Sequence, residues 1–168
     1  MALTLSNPNN HIAGGDHVFI FSPNVIYGTG LENVDRGLTY AHIWAPNIGG
    51  PYPYTSAFNI PLQIPAQLYG APLYLKSLKI SYRVAPSSAS AITQTRLYTT
   101  YDDLTVAVPL SEAVTHNSHS ASTYTLSLPS PFLFYGGLQV TLFTSFAGPT
   151  STNGIDIGNI TLTTTSAL

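Results

Sequence analysis

Period two runs through this chain and sets the limits on its fold. In LKISYRV, Leu78, Ile80, Tyr82 and Val84 fall on one side while Lys79, Ser81 and Arg83 fall on the other. LTVAVPL alternates Leu104, Val106, Val108 and Leu110, and YTLSL alternates Tyr124, Leu126 and Leu128. LQVTLFTSF carries Leu138, Val140 and Leu142, then Thr144 and Phe146, in one phase. Successive side chains of a strand point to opposite faces, so each run predicts a half-buried strand. No window places apolar residues at the i, i+3, i+4, i+7 spacing of a helix. Between the runs lie APSSAS (85–90), THNSHSAS (115–122), LPSP (128–131), YGG (135–137) and GPTSTNG (148–154). Ser, Asn, Gly and Pro favour turns through local hydrogen bonds and through preset or permissive φ angles. Strands at a spacing of about ten residues predict an all-β antiparallel sandwich. With about eight strands, a jelly-roll-like single domain over 1–168 is expected.

Two phase slips refine that reading. Ile155 and Ile157 keep one phase and Ile160 and Leu162 the other, with Gly158-Asn159 between them. Leu73 and Leu75 give way in the same manner to Leu78 and Ile80 around Lys76-Ser77. One extra residue in a bulge restores the inward phase, and such corners are expected to let strands pass from one sheet to the other. Residues 1–57 read as a loop-rich part with short edge strands, HVFIF and LTYAHIW, and 58–168 as the main strand run. In FNIPLQIPAQLYGAPLYL, Pro61, Pro65 and Pro72 lack the N–H of a central ladder, so edge strands and extended connections are expected there.

Composition narrows the partners. Only 7% of residues are charged, against about 25% in an average domain. With 17 serines and 20 threonines, the chain solvates itself with hydroxyls, and a net charge of −2 offers little repulsion between copies. Arg36, Lys76, Lys79, Arg83 and Arg96 are too few for a surface that tracks phosphates, so nucleic acid is not an expected partner. There is no cysteine, which excludes disulfides and thiol chemistry, and no apolar run long enough for membrane insertion. The first residues lack the basic and apolar regions of a signal peptide. Few charges, no cysteine, many Thr, Ser, Tyr and Gly, and the strand rhythm together resemble jelly-roll modules of capsids, phage fibre tips and collagen-like bacterial surface proteins. The resemblance implies a module that assembles with itself at a cell surface, on a fibre or virion, or otherwise outside the cell.

The strongest candidate for contact is the uncharged stretch IWAPNIGGPYPYTSAF (43–58). Trp44, Tyr52 and Tyr54, with His42 and Asn47, hold the chemistry of a sugar site: rings for C–H faces, and amide or imidazole groups for hydroxyls. The same residues and Phe58 suit a subunit interface, where rings pack and their polar tips bond at the rim. In a chain this poor in charge the interface is favoured. Tyr101, Asp102 and Asp103 could meet a sugar or calcium, or the acids could cap a turn, as Asp does by bonding its own backbone. His116 and His119 lie within HNSH, but a zinc site needs further ligands and no metalloprotease motif is present, so solvated loop histidines are expected. A glycosidase needs two facing carboxylates, which Glu32, Asp35 or Glu112 with Asp102 would have to supply. No nucleophile elbow or phosphate-cradling glycine loop occurs. The expected function is a non-enzymatic structural and adhesive module, a homo-oligomer with a trimer favoured, and no cofactor. The alternative is a carbohydrate-binding module or lectin using 43–58, with a cell-surface glycan as partner. A hydrolase on the same scaffold comes third.

Overall fold

The computed structural model describes residues 15–30, 32–47, 49–68, 70–101, 103–135 and 137–166. The first strands are β1 (Asp16–Phe21), β2 (Tyr27–Gly28), β3 (Asn33–Arg36), β4 (Ala41–Trp44), β5 (Tyr54–Leu62) and β6 (Gln67–Leu68). There follow β7 (Ala71–Val84), β8 (Ala91–Thr100), β9 (Val106–Glu112), β10 (Ser122–Leu133), β11 (Leu138–Phe146) and β12 (Ile155–Ser166). They form two antiparallel sheets. The seven-stranded sheet runs β10-β7-β12-β4-β3, with β1 also on β12 and β6 on β7; the five-stranded sheet runs β2-β5-β11-β8-β9. Among the described residues, no helix is long and apolar enough to cross a membrane.

Eight strands pair from the outside inwards: β4 with β12, β5 with β11, β7 with β10 and β8 with β9. A chain folded once into a long antiparallel ribbon and then rolled produces this nesting and deals the pairs alternately to two sheets. That is the jelly roll. The short strands β1, β2, β3 and β6 extend the sheets at their margins.

The inward phase forms the core. Leu78, Ile80 and Val84 of β7 are fully buried, as are Ile155, Ile157, Ile160 and Leu162 of β12. Each such side chain contributes about 1.5–3 kcal/mol on burial. Phe58 of β5 meets Phe146 of β11 edge to face, with centroids 6.0 Å apart. Both expected phase slips are bulges. The register of β12 on β7 jumps from Ile157↔Tyr82 to Ile160↔Ile80, and from Thr163↔Ser77 to Thr164↔Leu75, which leaves Lys76 unmatched. Contrary to expectation, neither strand changes sheet there; the bulges keep apolar residues facing inward along one continuous pair.

Two further expectations are corrected. Val106 and Val108 are 58% and 45% exposed, and Leu104 before them is 84% exposed, while Leu110 is buried. The register on β8 moves from Leu97↔Leu110 to Thr99↔Ala107, so β9 carries one extra residue and its phase inverts. LPSP is not a turn but an irregular stretch of β10, whose pairing with β7 breaks between Ser127 and Phe132. Pro129 and Pro131 cannot donate to a ladder, and an outer strand tolerates that. Pro61 follows the same logic: it pairs with Gln139 of β11 on one side, while on the other β2 reaches only Asn59 and Phe58.

Candidate functional site

The stretch 43–58 does not form one surface. Alternation along β4 buries Ile43 and places His42 and Trp44 on the outer face of the seven-stranded sheet, their rings 5.3 Å apart. Asn47 is exposed in the following loop. Tyr52 packs against the core and its hydroxyl donates to the Pro46 carbonyl at 3.1 Å. Tyr54 lies opposite Phe146 and packs on the core margin; burial, then the neighbouring Glu32 carboxylate, hold its phenol above the usual range. Phe58 is fully buried in the core. Period two in β5 turns Tyr54 and Phe58 inward together, which composition alone does not reveal.

His42 belongs to a closed polar network. Its Nδ1 lies 2.6 Å from Asp156 Oδ1 and its Nε2 lies 2.9 Å from the Ser151 carbonyl. Arg83 donates to Asp156 Oδ2 from Nε at 3.0 Å and from Nη2 at 2.6 Å. Hydrogen bonding to Asp156, and then its charge, raise the Arg83 pKa. A depression of about 520 Å³ beside this network is lined by Tyr40, Ser81, Arg83, Thr123, Asp156 and Gly158, among others. Both Asp156 oxygens and both imidazole nitrogens are already engaged, so the network serves to tie β4, β7, β12 and the 151–154 turn together.

The weaker candidates also take structural posts. His116 stacks on Tyr124, with centroids 3.6 Å apart, and bonds Glu112 at 2.9 Å. His119 bonds the Ala85 carbonyl at 3.0 Å. Among the described residues, no three His, Cys, Asp or Glu side chains gather as a metal ion would need. Asp103 accepts from the Thr105 hydroxyl at 2.6 Å and from its backbone N–H at 2.9 Å, bonds that hold the carboxyl below its usual range and cap the turn before β9. Tyr101 lies against Tyr135, 6.3 Å between centroids; Asp102 falls outside the described residues. Glu32 accepts from Ser56 and from the Gly30 N–H.

A different surface gathers unspent polar groups beside aromatic rings. Register aligns Tyr27 (β2), Asn59 (β5), Thr141 (β11), Arg96 (β8) and Ser111 (β9) in one row across the outer face of the five-stranded sheet. At about 4.8 Å per strand the row spans roughly 19 Å. Gln139 and Tyr98 form the next row on one side, Phe143 and Gln94 on the other. The Tyr27 hydroxyl donates to Gln139 Oε1 at 3.2 Å, and Gln139 Nε2 donates to Asn59 Oδ1 at 3.0 Å. Thr141 donates to the same Asn59 oxygen at 2.7 Å. Asn59 Oδ1 is therefore fixed from two sides, and its NH₂ group has no partner among the described residues. The Arg96 guanidinium lies over Phe143, 5.1 Å from the ring centroid, and its Nη1 donates to the Tyr98 hydroxyl at 3.3 Å. A depression of about 470 Å³ opens beside Phe143 and Gln94, lined also by Thr55, Thr93 and Ala113.

None of these side chains stands out in the sequence. Their signal is in the outward phase: Gln139, Thr141 and Phe143 interleave the buried residues of LQVTLFTSF, and Gln94, Arg96 and Tyr98 do so in ITQTRLYTT. Amides, an arginine and rings occupy positions where the other sheet carries mainly Ser, Thr and Lys.

No protein-family model matches the chain, and no curated protein matches it. Among solved structures, it is similar to the CBM22-1 xylan-binding domain of Paenibacillus barcinonensis Xyn10C. Identity is 8%, the TM-score is 0.55, and the match covers 93% of this chain and 99% of that one. A family 29 carbohydrate binding module from Piromyces equi matches at 12% identity and TM-score 0.44, over 90% and 91% of the two chains. The shared feature is the β-sandwich.

Proposed function

We propose that the protein is a carbohydrate-binding module that holds an extended glycan across the outer face of the five-stranded sheet. The observation that carries this reading is the row Tyr27–Asn59–Thr141–Arg96–Ser111 with its flanking Gln139, Tyr98 and Phe143. Tyr27 and Tyr98 supply ring surface for the C–H faces of sugars. The free Asn59 amide and Arg96 supply donors for hydroxyl oxygens. Because the amides are held by their neighbours, little side-chain entropy is lost on binding. A fold shared with a xylan-binding domain supports this ligand class, and such a module acts outside the cell, where polysaccharides are.

Binding without catalysis is part of the same reading. Arg96, which does not give up its proton, is the charged group among the described residues of this row and its flanks. Asp16, Glu32, Asp103, Glu112 and Asp156 are each engaged with a protein partner elsewhere. The row and its flanking residues carry no carboxylate, so this reading assigns them no part in glycoside hydrolysis. The test is affinity electrophoresis in gels containing xylan, mannan or soluble cellulose derivatives. Wild-type protein is retarded by at least one glycan, and Asn59→Ala or Tyr27→Ala loses the retardation while keeping its circular dichroism. Unchanged retardation in both variants, or none for the wild type on any glycan, overturns the reading.

A second reading, assembly with copies of itself, is favoured by Val18 and Ile20, 60% and 66% exposed on β1, and by exposed Val106 and Val108 on β9. Both are outer strands, where apolar exposure invites pairing. A homo-oligomer, first of all a trimer, on a fibre, virion or cell surface would cover them. Light scattering that finds a monomer at micromolar concentration removes this reading.

A further inference from the structure

We infer that the glycan bound at this face is acidic, carrying uronate carboxylates, and that Arg96 is the residue that reads them. The inference rests on the carbohydrate-binding reading and names the ligand class of the same site.

Arg96 differs from the ion-paired cations among the described residues. Lys76 meets Asp16 at 2.8 Å and Arg83 meets Asp156 at 2.6 Å. Arg36 is occupied with the Ile26 carbonyl, at 2.8 Å. Arg96 has no carboxylate within salt-bridge distance among the described residues, yet it is fixed more firmly than an idle surface charge. Phe143 lies under its guanidinium plane, and Tyr98 accepts from Nη1. With the Gln94 amide turned so that its oxygen faces the guanidinium, that oxygen accepts from Nε at 3.2 Å and from Nη2 at 3.3 Å. These contacts use three of the five N–H donors of an arginine and leave two. A carboxylate presents two oxygens in one plane and suits a pre-set guanidinium better than a hydroxyl does. Arg96 also lies in the row, one strand from Thr141 and two from Asn59. A sugar ring held by Asn59 thus places a substituent of its neighbour within reach of the arginine. Overall the chain is acidic, with a net charge of −2, so Arg96 is a local reversal of sign at the site where the free donors gather.

The test compares one polysaccharide with itself. Glucuronate-substituted xylan and the same xylan after reduction of its carboxyl groups to alcohols are titrated calorimetrically against wild type, Arg96→Gln and Arg96→Lys. Wild type is expected to bind the acidic form about tenfold more tightly than the reduced form at low salt, with the preference shrinking as salt rises. Arg96→Gln should bind both forms as wild type binds the reduced one. Arg96→Lys should keep a reduced preference, because it retains the charge without the fork. If wild type binds both forms equally, or if Arg96→Gln keeps the preference, the acidic-ligand inference falls and the carbohydrate reading stands. Equal affinity for a sulfated glycan of the same backbone rejects carboxylate recognition in favour of plain charge. If no form binds to wild type, and no other glycan does, both ideas fall together.

Discussion

The two outer faces of the sandwich are built from the same kind of strand and do opposite things with their polar groups. On the seven-stranded sheet, Asp156 is shared between Arg83 and His42, and His42 also reaches the Ser151 carbonyl. On the five-stranded sheet, Gln139, itself held by Tyr27, and Thr141 converge on one oxygen of Asn59, which orients its amide outward, and Arg96 keeps donors in reserve. A polar group fully satisfied within the protein stiffens the fold; one held in place with bonding capacity left over is ready for a ligand. The difference predicts that substitutions on one face cost stability and those on the other cost binding.

The largest effect is expected at the saturated face. A Cβ on Gly154 would lie 2.4 Å from His42 Nε2 and 2.8 Å from the Ile43 carbonyl oxygen, which is backbone and cannot swing aside. Gly154→Ala should cost about 3 kcal/mol in urea unfolding, the upper range for overpacking, without changing glycan affinity per folded molecule. Next comes Asp156→Ala, which removes the carboxylate that His42 faces. A loss of about 2 kcal/mol is expected, in the range for hydrogen bonds to charged groups, again with binding unchanged. Loss of glycan binding in this variant would break the comparison, because the two faces would then be coupled.

On the other face the pattern inverts. Tyr27→Ala should weaken glycan binding about tenfold and shift stability by no more than about 0.5 kcal/mol, as for ordinary surface changes. A large fall in melting temperature would mean that the Tyr27–Gln139–Asn59 chain is structural after all. The smallest effect is a pH dependence that belongs to neither face. Burial raises the Tyr124 phenol well above the usual range of a tyrosine, against a hydrogen bond with Thr95 that lowers it. The unfolded chain releases this proton above about pH 10 while the folded one keeps it. Its contribution to stability is therefore complete below pH 10 and declines as pH rises beyond it, by up to about 1.4 kcal/mol per pH unit. Unfolding measured from pH 9 to 11 should show that slope, and Tyr124→Phe should flatten it.

How much of this was legible in the sequence follows from what kind of periodicity carries it. Inward residues such as Leu78, Ile80, Ile157 and Ile160 declare themselves because burial demands apolar side chains at every second position. Even the Gly158-Asn159 bulge shows as a one-residue slip in that pattern. β9 misleads because its extra residue turns Val106 and Val108 outward, and valine gives no sign of which face it occupies. The cluster of rings in 43–58 misleads for a similar reason. Nearness in sequence concentrates Trp44, Tyr52, Tyr54 and Phe58, but alternation and the intervening loop separate them in space. The candidate site lies the other way: Tyr27, Asn59, Arg96 and Thr141 are far apart in the chain and meet only through register.

The nested pairing has a kinetic consequence. The face proposed to hold glycan takes its middle from β5 and β11, which are paired across some eighty residues, at Asn59↔Thr141. No hairpin and no terminal half of the chain contains it. Loops that long close late, and topologies dominated by distant contacts fold slowly, on the scale of milliseconds to seconds. Glycan affinity should consequently appear in one step with the last stage of refolding. A proteolytic fragment, however well it keeps its local strands, should show none of it.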